Sequence, residues 1–330
     1  MNHNPTLTWG LLSTARINRA LIPAIRQSKR SRLQAVASRS QESAEIFAQT
    51  WQIPRTHSTY EALLADPDID VIYIPLPNSL HAEWSIKAVQ AGKHVLCEKP
   101  LAVTLEEIDA IRAASLQTGR IIVEAFMYRH HAQTLKIKEL ITSGAIGKVQ
   151  LVRGTFTYNA SRPKNVRLDP KLGGGCVWDV GCYPISYART MIGLEPEEVF
   201  GYQIVNDTGV DVHFVGLLRF PGDIYAQFQS SFITPHSTYI EVIGDQGMLL
   251  VPKPFTPGKQ ENIILKHGDK KQFIRIRGKD HYLGEVIDIE DSILQGKSSR
   301  VSLADSRNNT SVILALLESA STGKPIHPIY

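Results

Sequence analysis

Along the first third of the chain, short apolar runs alternate with longer segments whose apolar residues recur at helical spacing. The runs at Leu7–Leu12, 33–37, Val71–Ile74, 94–97 and 121–123 read as strands; the segments near 17–27, 44–50, 82–91 and 105–116 read as helices. Strands and helices in this alternation build βαβ units, so the pattern predicts an α/β domain with a doubly wound parallel sheet. Ser58 with Glu61, and Thr104 with Glu107, have the spacing of a capping box, in which hydroxyl and carboxylate satisfy each other's orphan backbone amides. Gly119 marks a helix stop.

Beyond about residue 148 the rhythm becomes that of strands, at 149–158, 210–220, 224–232, 239–243 and 248–251. In 224–232 the apolar residues Ile224, Ala226, Phe228 and Phe232 share one parity and Gln227 and Gln229 the other. One face is buried and one more polar, as in an antiparallel sheet. Gly244-Asp245-Gln246-Gly247 predicts a hairpin turn, with glycine and aspartate tolerating positive φ. Two helices, near 282–294 and 303–319, close the chain. The expected domains are 1–147 and 148–330, divided where Gly144 and Gly147 interrupt a helix, with a C-terminal helix free to return and pack on the first domain. At about 150 residues per domain, the length agrees with two.

Composition narrows the function classes. Hydrophobic content of 43% with 21% charge excludes disorder. Thirty-six basic and thirty-two acidic side chains leave +4, and the basic residues are scattered, so neither nucleic acid nor a membrane surface is the expected partner. A small molecule is. Cys97, Cys176 and Cys182 are too few and too irregularly spaced for a disulfide framework, which suits a reducing compartment, the cytoplasm. Cys176 and Cys182 read as small buried hydrophobes. Residues 1–5 lack a secretory pattern, and no apolar run reaches the roughly 18 residues of a membrane span. His130 and His131 are adjacent, without the i, i+4 spacing of a helical zinc site, and no metal is expected. Neither a nucleophile elbow nor a Walker loop occurs, which argues against hydrolases and nucleoside triphosphatases.

In a doubly wound sheet the first strand-to-helix turn presents backbone amides to a pyrophosphate. Here that turn is Ser13-Thr14-Ala15-Arg16-Ile17-Asn18, with Ser13, Ala15 and Asn18 in the three glycine places of the G-x-G-x-x-G fingerprint. Serine and alanine still permit close backbone approach, and the hydroxyls of Ser13 and Thr14 can donate to phosphate. The second strand runs into Ser38-Arg39, where an NAD site places Asp or Glu and where arginine accommodates the extra phosphate of NADP. NADP is therefore the preferred cofactor, with NAD an option; a solvated surface arginine is the plain alternative. Pro75, Leu76, Asn78 and His81 belong to a proline-rich loop suited to the nicotinamide end of the groove. Glu98-Lys99-Pro100 ends the next strand, and the proline restrains Lys99 as a candidate active-site cation at the sheet's carboxyl edge. In the glycine-rich segment 173–183, Asp179 and Tyr183 share a face if a helix begins near Asp179; the plain alternative makes Asp179 an N-cap and Tyr183 a core aromatic.

These motifs occur in order together with Glu124-Ala125-Phe126-Met127, and over nearly its full length the chain resembles the glucose-fructose oxidoreductase and inositol dehydrogenase (Gfo/Idh/MocA) family. Many members carry histidine in the place of Tyr183. The tyrosine version is similar to the branch of dimeric dihydrodiol dehydrogenases and NADP-dependent D-xylose dehydrogenases. The resemblance implies a Rossmann domain followed by an α+β domain with an open-faced, mainly antiparallel sheet, whose exposed side makes a homodimer or homotetramer. It further implies that Lys99 and Tyr183 flank the reacting carbon and that Asp179 helps hold the substrate's hydroxyls. Arg167, on the loop before the glycines, is expected to reach cofactor or substrate. A tyrosine of pKa about 10 is a poor base at neutral pH, and a nearby ammonium favours its phenolate. The expected activity is hydride transfer between NADP and a hydroxyl-bearing carbon of a sugar or cyclic polyol. The alternatives are a ketoreductase of a modified or nucleotide-linked sugar, a dihydrodiol dehydrogenase, and a non-catalytic NADP-binding sensor. Loops around 158–172 are expected to wall the substrate.

Overall fold

The computed structural model describes residues 6–160 and 165–330. The first five residues, read above for a secretory pattern, and 161–164 of the expected substrate loop lie outside them. In chain order the elements are β1 (Leu7–Leu12), α1 (Asn18–Gln27), β2 (Ser31–Ala37), α2 (Gln41–Trp51), β3 (Arg55–His57), α3 (Tyr60–Leu64), β4 (Val71–Ile74), α4 (His81–Gln90), β5 (His94–Glu98), α5 (Leu105–Thr118), β6 (Ile122–Ala125) and α6 (Ala132–Thr142). There follow β7 (Val149–Thr157), α7 (Cys182–Ile192), β8 (Glu198–Val205), β9 (Asp211–Phe220), β10 (Ile224–Ser231), β11 (Ser237–Gly244), β12 (Met248–Val251), β13 (Gln260–His267), β14 (Lys270–Arg277), α8 (His281–Gln295) and α9 (Leu303–Thr322).

The chain divides into two compact units, Met1–His130 with Tyr282–Ser306, and His131–His281 with Arg307–Tyr330. In the first, six parallel strands in the order β3-β2-β1-β4-β5-β6 form the doubly wound sheet. Every residue of β1 and β4 is buried, because helices cover both faces of a parallel sheet and its strands are apolar on both sides. Trp9, Leu11, Tyr73 and Leu96 pack against α1 and against Leu283, Val286 and Ile289 of the returning α8; Leu12, Ile72, Ile74 and Val95 pack against α4 and α5. The sequence pattern does not reveal β3 or α3, at three and five residues too short to show a period. Thr59, not Ser58, caps α3 through the Ala62 amide. At α5, Thr104 accepts from Glu107 as predicted, while the Glu107 carboxylate reaches one residue further back, to the Val103 amide.

In the second unit, eight strands in the order β14-β13-β12-β11-β7-β10-β9-β8 form one sheet, antiparallel except for the parallel pair β7 and β10. Helix α7 covers one face so closely that a Cβ at Gly154 of β7 would come within 2.7 Å of Pro184. On the opposite face Tyr202, Val215, Leu217, Tyr225 and Tyr239 are exposed. Strands β8, β13 and β14 lie outside the strands the pattern predicts; β14 is an edge strand whose lysines and arginines interrupt its alternation. Gly244 and Gly247 do close the hairpin, with the Gly244 amide on the Gly247 carbonyl, but neither has a positive φ. Glycine is needed there because a Cβ would collide with the carbonyls of Ile146 and Lys266. Residues 131–147, expected in the first domain, belong to the second unit, since α6 packs on β13 and β14. No helix among the described residues is long and apolar enough to cross a membrane.

Candidate active site

The turn after β1 runs through Ser13, Thr14, Ala15, Arg16 and Ile17 into α1. Ser13 adopts φ 141°, a region that glycine occupies freely and that costs other residues about 1–3 kcal/mol. Two local bonds hold it there: its hydroxyl accepts the Ala15 amide at 3.2 Å, and its carbonyl accepts from Asn18 Nδ2 at 2.8 Å. Asn18 is fully buried, and its Oδ1 has no partner. No side chain caps α1, and its first amides, those of Asn18, Arg19 and Ala20, bond the carbonyls of Ala15, Arg16 and Ile17, so a phosphate here would meet the half-buried Thr14 and Ala15 and the exposed Arg16 of the turn. A pyrophosphate fits this turn. At the end of β2, Ser38 is buried and Arg39 exposed; the Arg39 guanidinium hydrogen-bonds the hydroxyl of Tyr60, whose ring meets Trp84 edge-on at 5.0 Å. Tyr60 thus holds the Arg39 cation at the strand end.

Lys99 follows β5 through a cis peptide bond to Pro100 and is half-buried. Two buried side chains fix its turn. Glu124 of β6 accepts the Leu101 amide at 2.9 Å, and the His81 ring places Nδ1 2.7 Å from the Pro100 carbonyl. The other ring nitrogen of His81 lies 2.8 Å from the Leu76 carbonyl, so one imidazole joins the proline loop to the lysine turn. Burial lowers the His81 pKa against these two carbonyls, and the nearby Lys99 charge lowers it further. His81 therefore braces the proline loop of Pro75, Leu76 and Asn78 at the Leu76 carbonyl. Glu98 accepts the hydroxyl of the buried Tyr73 at 2.5 Å, which, after burial, is a further reason the phenol stays protonated.

In the second unit the glycine run has a specific cause. Gly173 has φ 71°, and a Cβ on Gly174 would lie 2.6 Å from the Arg167 carbonyl. The Gly175 amide bonds that same carbonyl at 2.9 Å. The run is thus folded onto the loop bearing Arg167. It leads into a π-helical turn, Val177–Gly181, and then α7. Asp179 sits inside this turn and caps no helix. Its Oδ2 accepts the Tyr158 hydroxyl at 2.7 Å and Arg167 Nε at 2.8 Å. The Asp179 charge keeps the Arg167 guanidinium protonated, while burial and that charge together push the Tyr158 phenol up.

Tyr183, one helical turn beyond Asp179, is 6% exposed between Phe156 and Phe255, at ring distances of 5.4 and 5.5 Å. The Tyr183 ring is packed like a core aromatic, as the plain alternative has it, and the phenol lies near enough to Arg167 for the two charges to act on each other. Sequence reasoning places Tyr158 at the head of the loop expected to wall the substrate but does not reach its bond to Asp179. Cys176 is more than a small hydrophobe, lying 3.4 Å from the Ser230 hydroxyl. All three cysteines are buried and unbridged. His131 caps α6 by accepting the Gln133 amide at 3.1 Å, and among the described residues no cluster of His, Cys, Asp and Glu could hold a metal ion.

Comparison with known proteins now becomes decisive. Residues 7–126 match the model of an oxidoreductase family with an NAD-binding Rossmann fold, and residues 134–250 match the C-terminal domain of the same family. The chain belongs to the Gfo/Idh/MocA oxidoreductase family. It is 35% identical over 325 residues to a D-xylose 1-dehydrogenase (NADP(+)) of Haloferax volcanii, covering 97% of this chain and 99% of that one. It is 32% identical over 250 residues to a trans-1,2-dihydrobenzene-1,2-diol dehydrogenase of Xenopus laevis, covering 74% of each. Among solved structures, an aldose-aldose oxidoreductase from Caulobacter crescentus, complexed with glycerol, superposes with a TM-score of 0.91 at 26% identity, over 98% of this chain and 99% of that one. Membership of the Gfo/Idh/MocA family makes the chain an oxidoreductase and accounts for the two sheets.

Proposed function

We propose that this chain is an NADP-dependent dehydrogenase of a sugar or related cyclic polyol. The observation that carries the reading is the polar cluster of the second unit, in which Asp179, Tyr158 and Arg167 are joined and Tyr183 follows one turn later on the same helical segment. A carboxylate, a phenol and a guanidinium so grouped match the donors and acceptors of a polyhydroxylated ring. Bound NADP would supply the hydride acceptor or donor. The residues that would hold it are the amides of the Ser13–Ile17 turn for the pyrophosphate and Arg39, with Ser38, for the additional phosphate. In oxidation Tyr183 would act as the phenolate and take the proton of the substrate hydroxyl, and in reduction its phenol would return it; Lys99 is the cation proposed to favour the phenolate. Asp179 and Arg167 hold neighbouring hydroxyls in place.

The dehydrogenase of Haloferax volcanii supports NADP and an aldose. A reductase of a nucleotide-linked ketosugar is the second reading, supported by 32% identity over 251 residues to a dTDP-3,4-didehydro-2,6-dideoxy-alpha-D-glucose 3-reductase of Streptomyces violaceoruber. We place the enzyme in a reducing compartment, the cytoplasm, on its unbridged thiols, and assign the exposed sheet face around Tyr202, Val215 and Leu217 to a homo-oligomer contact.

The experiment is a screen of aldoses, cyclic diols and ketosugars with NADP and NAD in both directions, followed by Tyr183→Phe on the best pair. Turnover should fall by about 10²–10⁴ in the variant, with NADP affinity unchanged. Near-normal turnover would remove Tyr183 as the proton-transfer group, and binding of NADPH without turnover of any of these compounds would favour a sensor.

A further inference from the structure

The segment that carries Asp179 and Tyr183 starts without a cap of its own, for Cys176 at its head makes no side-chain capping bond. The missing acceptor comes from the first residue of β9. Asp211 is 5% exposed, and its Oδ2 accepts the Val177 amide at 2.8 Å. The Cys176 amide and thiol donate to the same carboxylate. Gly175, at φ 129°, makes room for it, since a Cβ there would collide with Asp211 Oδ1. A carboxylate among several donors at the start of a helical segment is a charge-assisted cap delivered across the fold. Sequence spacing could not reveal it, because 34 residues separate Asp211 from Val177.

We propose that Asp211 is a positioning residue, whose ionised carboxylate locks the 175–181 turn in the conformation that presents Asp179 and Tyr183 to the substrate. This rests on the roles given above to Asp179 and Tyr183. Burial pushes Asp211 up to about 6, while the Cys176 thiol and the Val177 amide pull it back. The groups facing it are the Cys176 thiol from the turn and the uncharged Ser230 from β10; Asp179, further along the turn, is paired with Arg167, and His213 on its own strand bonds Ser231. Protonation of Asp211 places an O–H donor where only donors converge, so the lock loosens as pH falls through about 6.

The test measures kcat and KM from pH 5 to 8 with NADP and the aldose turned over fastest in the screen, for wild type, Asp211→Asn, Cys176→Ala and Tyr183→Phe, with NADP affinity followed by NADPH fluorescence. Wild-type kcat should decline below about pH 6. Asp211→Asn should lose on the order of tenfold in kcat and lose that acid limb, at unchanged NADP affinity. Cys176→Ala, a small change that removes one bond to the ionised form, should move the limb to higher pH. An acid limb that persists unmoved in Asp211→Asn overturns the proposal. Should that variant not fold, an unmoved limb in Cys176→Ala does so. Wild-type turnover in Tyr183→Phe would defeat the reading of the turn and this proposal with it, whereas loss in Tyr183→Phe beside wild-type kinetics in Asp211→Asn rejects Asp211 alone.

Discussion

Arg167 and Asp179 meet through a single carboxylate oxygen, Nε lying 2.8 Å from the Oδ2 that also accepts the Tyr158 hydroxyl. The pair is lopsided in exposure, the arginine 47% exposed and the aspartate 15%, so it orients Asp179 more than it stabilises the fold. Asp179→Asn keeps the shape and discards the charge. A hydrogen bond to a charged group contributes about 1.5–3 kcal/mol, so kcat/KM for the sugar should fall roughly ten- to a hundredfold, with melting temperature and NADP affinity little changed. Steady-state kinetics with thermal melting on the same samples checks this.

Arg39 should decide between the two dinucleotides. Its guanidinium is exposed at the end of β2 and braced by Tyr60. Arg39→Ala should weaken NADP by about ten- to a hundredfold and leave NAD nearly untouched, because only NADP carries the phosphate that a guanidinium grips. Titration of protein fluorescence with each cofactor reads this directly, and equal losses would remove the assignment. Tyr60→Phe should produce a smaller loss in the same direction.

Acid should destabilise the protein through His94. Its Nδ1 accepts the Ile121 amide at 3.0 Å, which requires the unprotonated nitrogen, and burial followed by the Arg120 charge holds its pKa at about 4. The unfolded chain takes up this proton near 6.5 and the folded chain near 4, so stability present at neutral pH is lost as pH falls between those values. The slope is about 1.4 kcal/mol per pH unit for this one group. Urea unfolding at a series of pH values should show a flatter dependence in His94→Gln.

Glu290 of α8 should be among the costliest carboxylates to remove. It is fully buried, and it accepts from the hydroxyls of Ser28 and Ser31 and from Arg30, whose Nη2 lies 3.0 Å away. Glu290→Ala takes the shared acceptor from Ser28 and Ser31 and leaves Arg30 with Asp291 alone, and should cost about 2–4 kcal/mol, measured by urea unfolding. Glu290→Gln, which keeps acceptor capacity without the charge, should cost less.

What could be read beforehand follows from the range of each interaction. The runs at Leu7–Leu12 and Val71–Ile74 announce their strands to the residue, because buried parallel strands are apolar throughout. Thr104 and Gly119 fix both ends of α5 through bonds and dihedral angles local to them. The placing of Lys99 at the end of β5 and of Tyr183 beyond Asp179 was legible for the same reason. By contrast, Tyr158 reaches Asp179 across 21 residues and Asp211 reaches Val177 across 34, and no periodic pattern encodes such pairings. His81 shows the complementary limit: its place beside the proline loop was evident, but its contact with Pro100 depends on how two loops meet.

The return of α8 into the first unit sets an order of assembly during synthesis. Leu283, Val286 and Ile289 fill a core whose other walls are made from the first strands of the chain, and Glu290 closes the bonds of Ser28 and Arg30. A ribosome that has translated all six parallel strands still holds a sheet whose α1-bearing face lacks the part of its cover that α8 supplies. The dinucleotide domain, first to emerge, therefore matures only after the entire fourteen-strand course of the chain has left the exit tunnel, and a nascent chain stalled before residue 282 presents that partly covered apolar face to chaperones.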